Sequence, residues 1–182
     1  MRILIVNTSE RTGGAAVAAG RLVSALNNCG VQARMLVRDK QTTNPVVVAL
    51  PKGVRSRWRF FWERWTIFWH LHFNRHNLFA IDVANTGADI TSLPEFKQAD
   101  VIHLSWINQG MLSLSTIRKI VNSGKPVVWT MHDIWPATAI CHLTLGCNNF
   151  KQQCRRCKYL PGGGGDNDLS AKVWNKKKRI YE

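Results

Sequence analysis

Residues 2–37, RILIVNTSERTGGAAVAAGRLVSALNNCGVQARMLV, decide the fold class of this chain. The run Arg2–Asn7 is short, apolar and rich in β-branched residues, which is typical of a buried strand. A glycine-containing turn follows, and small and apolar residues then recur at helical spacing until Gly30. Val31–Val37 alternates as a second strand. A strand, a loop, a helix and a strand in this order form the basic unit of a parallel sheet.

The rest of the chain continues to alternate between strand and helix patterns. Short apolar runs predict further strands at Pro45–Val48, Val101–Leu104 and Val127–Thr130. Helical periodicity predicts helices at Arg55–Phe73 and Leu114–Val121, the second with Ser113 or Ser115 as its cap. This alternation predicts an α/β fold with a Rossmann-like, doubly wound, mostly parallel sheet. The first helix is expected to bury one face, which comprises Ala15, Ala18, Ala19, Leu22, Leu26 and Cys29.

The length of 182 residues suits one α/β domain and is short for two. We therefore expect a single domain over residues 1–182. Within it, residues 137–165 read as a Cys-rich loop without periodicity. Residues 168–181 read as a basic helix that Asp168 or Ser170 caps.

The chain is strongly basic, with a formal net charge of +14. The excess is concentrated in two stretches, Lys52–Arg75 and Lys151–Glu182. Such stretches suit nucleic acid, nucleotide phosphate or an anionic membrane surface, and the plain alternative is a solvated basic face. The apolar run Ile3–Val6 is too short for a signal peptide, and no run approaches the length of a membrane span. We therefore expect a cytoplasmic protein with reduced cysteines unless they bind metal.

Three segments of the chain carry a family resemblance. They are Asn7–Ser9 with Gly13–Ala16, then Ala99–Ile107, and then Pro126–Pro136, which continues through a cluster of cysteines up to Cys157. In these segments the chain resembles the retaining GT-B glycosyltransferases of bacterial surface-polysaccharide synthesis, of the colanic-acid type. The His132-Asp133-x-Trp135-Pro136 stretch joined to the cysteines is the most specific part.

The resemblance implies that the chain is the N-terminal, acceptor-side half of a GT-B fold. Family members carry a second Rossmann-like domain that binds the nucleotide-sugar donor, and no such domain precedes Glu182. The full-length enzyme would transfer a sugar, with retention, to a glycan or lipid-linked acceptor, whereas the isolated chain is expected to be inactive. Its partners would be that acceptor and its own donor-binding domain.

The resemblance also implies roles for residues at the predicted strand ends. Gly13 and Gly14 would face the donor phosphates and the acceptor, although a tight turn explains the pair equally simply. His132 would contact the donor sugar near the reacting carbon as the catalytic residue, although a lone histidine is more often structural. Asp133 would orient a hydroxyl or cap the next turn. Trp106 would stack on a sugar or pack in the interior.

The helix at Arg55–Phe73 presents a tryptophan-rich face on a helical wheel. We expect this face to touch a membrane or a lipid-linked acceptor at the inner side of the membrane, with arginines reaching lipid phosphates. The residues of this surface are Trp58, Trp62, Trp65, Trp69, Arg55 and Arg59, and Arg57 and Arg64 flank the other side. A second strip, of Phe60, Ile67 and Leu71, would pack on the domain. The alternative is that both strips are buried in the core or in a domain interface.

Four cysteines, spaced C-x5-C-x6-C-x2-C, are expected to bind one structural zinc: Cys141, Cys147, Cys154 and Cys157. Two disulfides or four free thiols are the alternatives, and His142 is a candidate to replace Cys141. Nearby basic residues would favour thiolates: Lys151, Arg155, Arg156 and Lys158. Cys29 is expected to be an ordinary core residue.

A rival function is a basic, non-catalytic binding module for nucleic acid or an anionic membrane surface. Tryptophans interleaved with arginines suit single-stranded nucleic acid. The alternation of strands and helices matches no common nucleic-acid module, which argues against that partner. A short, degenerate scaffold protein is a third possibility.

Overall fold

The computed structural model of the chain describes residues 1–182 except Lys52, and it leaves the side chains of Arg55 and Ser56 undescribed. Within the described residues, five parallel strands form one sheet in the order β3-β2-β1-β4-β5. The strands are β1 Arg2–Ser9, β2 Gln32–Asp39, β3 Val47–Ala49, β4 Val101–Leu104 and β5 Val127–Trp129. This sheet, flanked by helices, confirms the predicted α/β, Rossmann-like, doubly wound class.

Helices cover both faces of the sheet. They are α1 Gly14–Asn28, α2 Val54–His70, α3 Pro94–Gln98, α4 Leu114–Val121 and α5 Leu169–Tyr181. Side chains alternate along β1, so Ile5 packs with α1 on one face while Leu4 and Val6 join the larger core on the other. That larger core includes residues of α2, α3, α4 and α5.

Side-chain caps mark the start of two helices, α4 and α5. Ser113 caps α4, where its hydroxyl accepts a hydrogen bond from the Thr116 N–H at 3.2 Å. Asp168 caps α5 by accepting from the Ala171 N–H at 2.9 Å. The short helix α3 lies in a segment without a clear pattern and was not predicted.

The buried stripe of α1 differs from the predicted one. Its buried residues are Ala16, Ala19 and Val23, whereas Ala18 and Cys29 are exposed. Ala19 of the predicted face is buried and Leu22 and Leu26 pack against the core, as predicted, whereas Cys29 lies at the C-cap of the helix. The prediction that Cys29 is a core residue is therefore wrong.

The cysteine-rich segment has little regular structure. It contains short 3-10 turns at Asn149–Lys151 and Pro161–Gly163, and another turn at Trp135–Ala137 precedes it. An isolated bridge pairs Cys141 with Ile81. In the part of the chain that the structure describes, no helix combines the length and the apolar character needed to cross a membrane.

Candidate functional site

The chain reverses its direction of strand addition between β1 and β4. Strands β2 and β3 lie on one side of β1, whereas β4 and β5 lie on the other. Open α/β sheets bind ligands at such a switch point, outside the carboxyl ends of the strands. Here the end of β1 is bonded to the loop after β4, because Trp106 donates its N–H to Asn7 Oδ1 at 2.9 Å and Thr8 donates its N–H to the Trp106 carbonyl at 2.8 Å.

His132 lies at this edge, just beyond β5. Its side chain is exposed, and its Nε2 is 2.8 Å from the hydroxyl of the buried Ser105, which follows β4. One ring nitrogen is thus held by the protein, and the other has no partner among the described residues. A histidine held in this way can offer its free nitrogen to a ligand hydroxyl.

A second histidine links the ends of the same two strands. His103 is buried, and its Nε2 is 2.8 Å from the Thr130 hydroxyl. Burial first, and then the nearby His132, lowers the pKa of His103, which favours its neutral form. The hydrogen bond between His103 and Thr130 therefore links β4 to the residue that follows β5, and a neutral His103 adds no positive charge next to the site.

Asp133 organises the residues beside His132. One oxygen accepts from Trp106 Nε1 at 2.9 Å and from His142 Nδ1 at 2.7 Å, and the other accepts from the Trp135 N–H at 2.8 Å. Burial acts to raise the pKa of Asp133, but these hydrogen bonds and the charge of His142 outweigh it and lower the pKa. This geometry is that of a residue that caps the following turn, which was one of its two expected roles.

Trp106 is half-buried and held at one end. Its indole N–H is used by Asp133, and its ring lies 6.0 Å from the His142 ring, centroid to centroid, at an interplanar angle of 33°. The side chain therefore packs against the protein on one side, and its partial exposure leaves part of it accessible.

The glycine loop begins α1 at the same edge of the sheet. Gly13 adopts a φ of +87°, which favours glycine, and both Gly13 and Gly14 are exposed. The first turn of α1 has neither a side-chain cap nor an acidic residue, so its N–H groups remain available. In the described residues no hydrogen bond joins this loop to His132, which lies two strands away.

The chain was compared with known proteins. It is 34% identical over 73 residues to the putative colanic acid biosynthesis glycosyl transferase WcaC of Escherichia coli (strain K12). The match covers 38% of the chain but only 18% of that relative. The chain therefore spans only a small part of the length of the relative that it matches. No family model and no solved structure matches the chain. The match supports a glycosyltransferase-like relationship.

A buried polar cluster lies beneath the site. Asp82 accepts from Arg64 at 3.0 Å and from the Gln109 N–H at 2.9 Å, while Glu63 accepts from the Ala84 N–H at 2.6 Å. Glu63 and Asp82 are fully buried. The cluster joins α2, which carries Glu63 and Arg64, to the loop after β4, which carries Gln109.

The pKa values of the two acids of this cluster are shifted in opposite directions. Burial first, and then the charge of Asp82, raises the pKa of Glu63 to about 10. Burial also acts to raise the pKa of Asp82, but the hydrogen bond from Glu63 and the charge of Arg64 outweigh it and lower the pKa. These directions favour the protonated form of Glu63 and the charged form of Asp82.

Two buried side chains, Trp135 and Lys177, hold the turn after His132 in place through hydrogen bonds. Trp135 is fully buried and donates its indole N–H to the Asp82 carbonyl at 2.8 Å. Lys177 of α5 donates to the carbonyls of Trp135 at 2.7 Å and Thr138 at 3.0 Å. Its ammonium also lies 3.2 Å from the Trp135 ring centroid. Burial lowers the pKa of Lys177 well below its usual value.

The four clustered cysteines line one small cavity of about 20 Å³, which is room for one water-sized particle. All are free thiols: Cys141, Cys147, Cys154 and Cys157. Among the described residues, no group of three or more His, Cys, Asp or Glu side chains is arranged so that it could hold a metal ion. The zinc site therefore stays a prediction. His142, the candidate substitute ligand, faces Asp133 instead of this cavity.

Burial is the main influence on the thiols of this cluster. Burial raises the pKa of Cys154 to about 11 and that of Cys157 to about 12. Arg155 and Arg156 are exposed and pair with Asp166. The two arginines thus face solvent and a carboxylate of their own loop, and the role of the four basic residues at a zinc site stays a prediction.

The two strips of α2 have opposite environments. Ile67 and Leu71 of the second strip are buried in the core, as predicted. The tryptophans of the first strip are exposed: Trp58, Trp62, Trp65 and Trp69. Arg59 is half-exposed, and the side chain of Arg55 lies outside the described residues. Arg64 does not flank the tryptophan face, since Asp82 and the Leu78 carbonyl bind it in the interior.

Several residues of the site were not singled out from the sequence. Ser105 lies in the segment Ala99–Ile107, but nothing in the neighbouring sequence indicates that its hydroxyl contacts His132. Glu63 carries the clearest signal, because it is the only acid in a basic, aromatic helix. Lys177 carries none, since it is one of three consecutive lysines.

Proposed function

We propose that this chain is the acceptor-side Rossmann-like domain of a retaining, GT-B-type glycosyltransferase. The whole protein would transfer a sugar from a nucleotide-sugar donor to a glycan or lipid-linked acceptor of surface-polysaccharide synthesis. The observation that carries the proposal is His132, exposed at the carboxyl edge of the sheet and held through one nitrogen by Ser105. The partial identity to a putative glycosyl transferase supports the same reading.

The proposed division of labour follows from the chemistry. A retaining transfer passes through a cationic sugar with a departing phosphate, so it needs hydrogen-bond donors and an ordered pocket more than a strong base. His132 would bind a hydroxyl of the donor sugar. The free N–H groups of Gly13 and Gly14 at the start of α1 would face the phosphates. The remaining donor contacts would come from a second domain.

The experiment uses the longest polypeptide that the gene of this chain encodes. It is incubated with a panel of labelled nucleotide sugars and with membranes as the source of lipid-linked acceptor. We expect label to enter the acceptor fraction from one donor, with the anomeric configuration of the donor retained. Release of free sugar without an acceptor product, or no reaction with any donor, would contradict the proposal.

A further inference from the structure

Helix α2 carries a large apolar face toward solvent. Trp58, Trp62, Trp65 and Trp69 recur at helical spacing, and each is between 53% and 63% exposed. Phe73 extends the face, with its ring 5.4 Å from the Trp69 ring, centroid to centroid. Contiguous apolar surface of this kind marks an interaction site.

The opposite side of α2 is fixed to the domain, so the helix cannot turn its tryptophans inward. Ile67 is fully buried, and Arg64 is anchored to Asp82 at 3.0 Å. Gly110 of the loop after β4 approaches so closely that a Cβ there would lie 3.1 Å from the Phe60 backbone nitrogen. The tryptophan face therefore has no partner among the described residues.

An open groove of about 810 Å³ runs along this face. Aromatic side chains such as Phe61 and Trp65 line it, together with Arg57 and Arg75. Both arginines are exposed. The lining of the groove thus combines apolar side chains with exposed cationic ones.

The charge around the groove has one sign at the surface. Between residues 53 and 79 the only acid is Glu63, which is fully buried and turned toward Asp82. Arg57 and Arg75 therefore face solvent without a carboxylate from this segment. The surface is complementary to an anionic layer that has apolar material behind it, which describes a bilayer with acidic head groups.

We propose that α2 docks this chain on the surface of an anionic lipid bilayer. The indoles lie at the boundary between head groups and acyl chains, and Arg57 and Arg75 contact lipid phosphates. The helix lies in the plane of the surface because its other side remains packed on the domain. This docking does not depend on the proposed sugar transfer.

Vesicle flotation tests the proposal with the purified chain. Phosphatidylcholine vesicles are compared with vesicles that also contain phosphatidylglycerol, and stronger binding to the second kind is expected. Arg57→Glu with Arg75→Glu should weaken that binding by about 30-fold or more, from about 5-fold for each basic residue near an anionic surface. Arg21→Glu with Arg34→Glu is the matched control, since both residues are exposed away from α2.

The apolar contribution is tested separately. Trp62→Ala with Trp65→Ala should reduce binding to both kinds of vesicle, whereas Val17→Ala, on the exposed side of α1, should not. Quenching of tryptophan fluorescence by lipids with brominated acyl chains should also fall in the double variant. Thermal melting checks that all variants are folded.

Four results would overturn the proposal. The first is that the wild-type chain floats with neither kind of vesicle, and the second is that it binds both equally. The third is that the control variants lose as much binding as the α2 variants. The fourth is that light scattering shows a dimer that only Trp62→Ala with Trp65→Ala dissociates, with vesicle binding unchanged, so that a second copy covers the face.

Discussion

At the scale of single residues, the contact between His132 and Ser105 is the most consequential for the proposed reaction. In the full-length polypeptide, we expect His132→Ala to lower kcat/KM for sugar transfer by about 10- to 1000-fold, the cost of losing one hydrogen bond in the transition state. The free energy of unfolding should hardly change, because the His132 side chain is exposed. Steady-state kinetics and thermal melting measure the two quantities.

Ser105→Ala distinguishes positioning from contact with substrate. It should lower kcat/KM less than His132→Ala does, because the imidazole remains but loses the hydroxyl 2.8 Å from its Nε2. Gln32→Ala, at the amino end of β2, is the control that should leave transfer unchanged. Transfer at the wild-type rate by His132→Ala would assign that histidine a structural role.

Glu63 predicts a pH dependence of stability that a single substitution removes. Its pKa is raised to about 10 in the folded chain, mainly by burial, and is about 4.3 when unfolded. The contribution of this proton to the free energy of unfolding is fully present below about pH 4.3, where both the folded and the unfolded chain hold it. The contribution is lost as the pH rises toward 10, because only the unfolded chain releases the proton over that range. Glutamine has no such proton, so Glu63→Gln should gain stability relative to wild type as the pH rises.

Urea unfolding at a series of pH values between these limits measures that difference. Glu95→Gln, in the half-exposed part of α3, serves as the control and should show a smaller dependence. A difference between Glu63→Gln and wild type that stays constant with pH would show that Glu63 is ionised in the folded chain.

At the scale of elements, α5 holds the turn that follows His132. Lys177→Met should lower the free energy of unfolding by about 1–3 kcal/mol, because the buried carbonyls of Trp135 and Thr138 lose their donor. Lys176→Met, at an exposed position of the same helix, should have little effect. Chemical denaturation compares the two variants, and equal effects would contradict the role given to Lys177.

The cysteine-rich segment gives a second prediction at this scale. If its four thiols close on one ion, protein purified under reducing conditions will contain about one zinc per chain. Chelation should then lower the thermal stability, because the segment has little regular structure to hold it in place. Elemental analysis and melting curves with and without chelator decide. If the protein contains no metal and its four cysteines form two disulfides, the zinc prediction is wrong and the disulfide alternative is correct.

At the scale of the whole molecule, the part of the chain that the structure describes forms one sheet with one carboxyl edge. We expect this chain on its own to transfer no sugar and to bind nucleotide sugars only in the millimolar range or more weakly. The reason is that most donor contacts are proposed to come from a second domain. Calorimetric titration and a transfer assay test this expectation, and turnover by the chain alone would contradict the proposed division.

The sequence by itself determined the alternation of strands and helices, because periodicity and cap residues are local. Val101–Leu104 and Leu114–Val121 have the bounds that the pattern predicts, and the buried strip of α2 lies where the helical wheel places it. The face of α1 was less well defined, since alanines fit either side of a helix and specify its rotation weakly.

Only the tertiary structure decided which side chains meet. Ser105 and His132 are 27 residues apart, and Lys177 and Trp135 are 42 apart. Their contacts depend on strand order and on where α5 returns to the sheet, which no local pattern encodes. The same holds for the burial of ionisable side chains. Glu63 and Lys177 look like surface residues in the sequence, but the packing of α2 and α5 places them in the interior, where hydrogen bonds to distant partners make their burial tolerable.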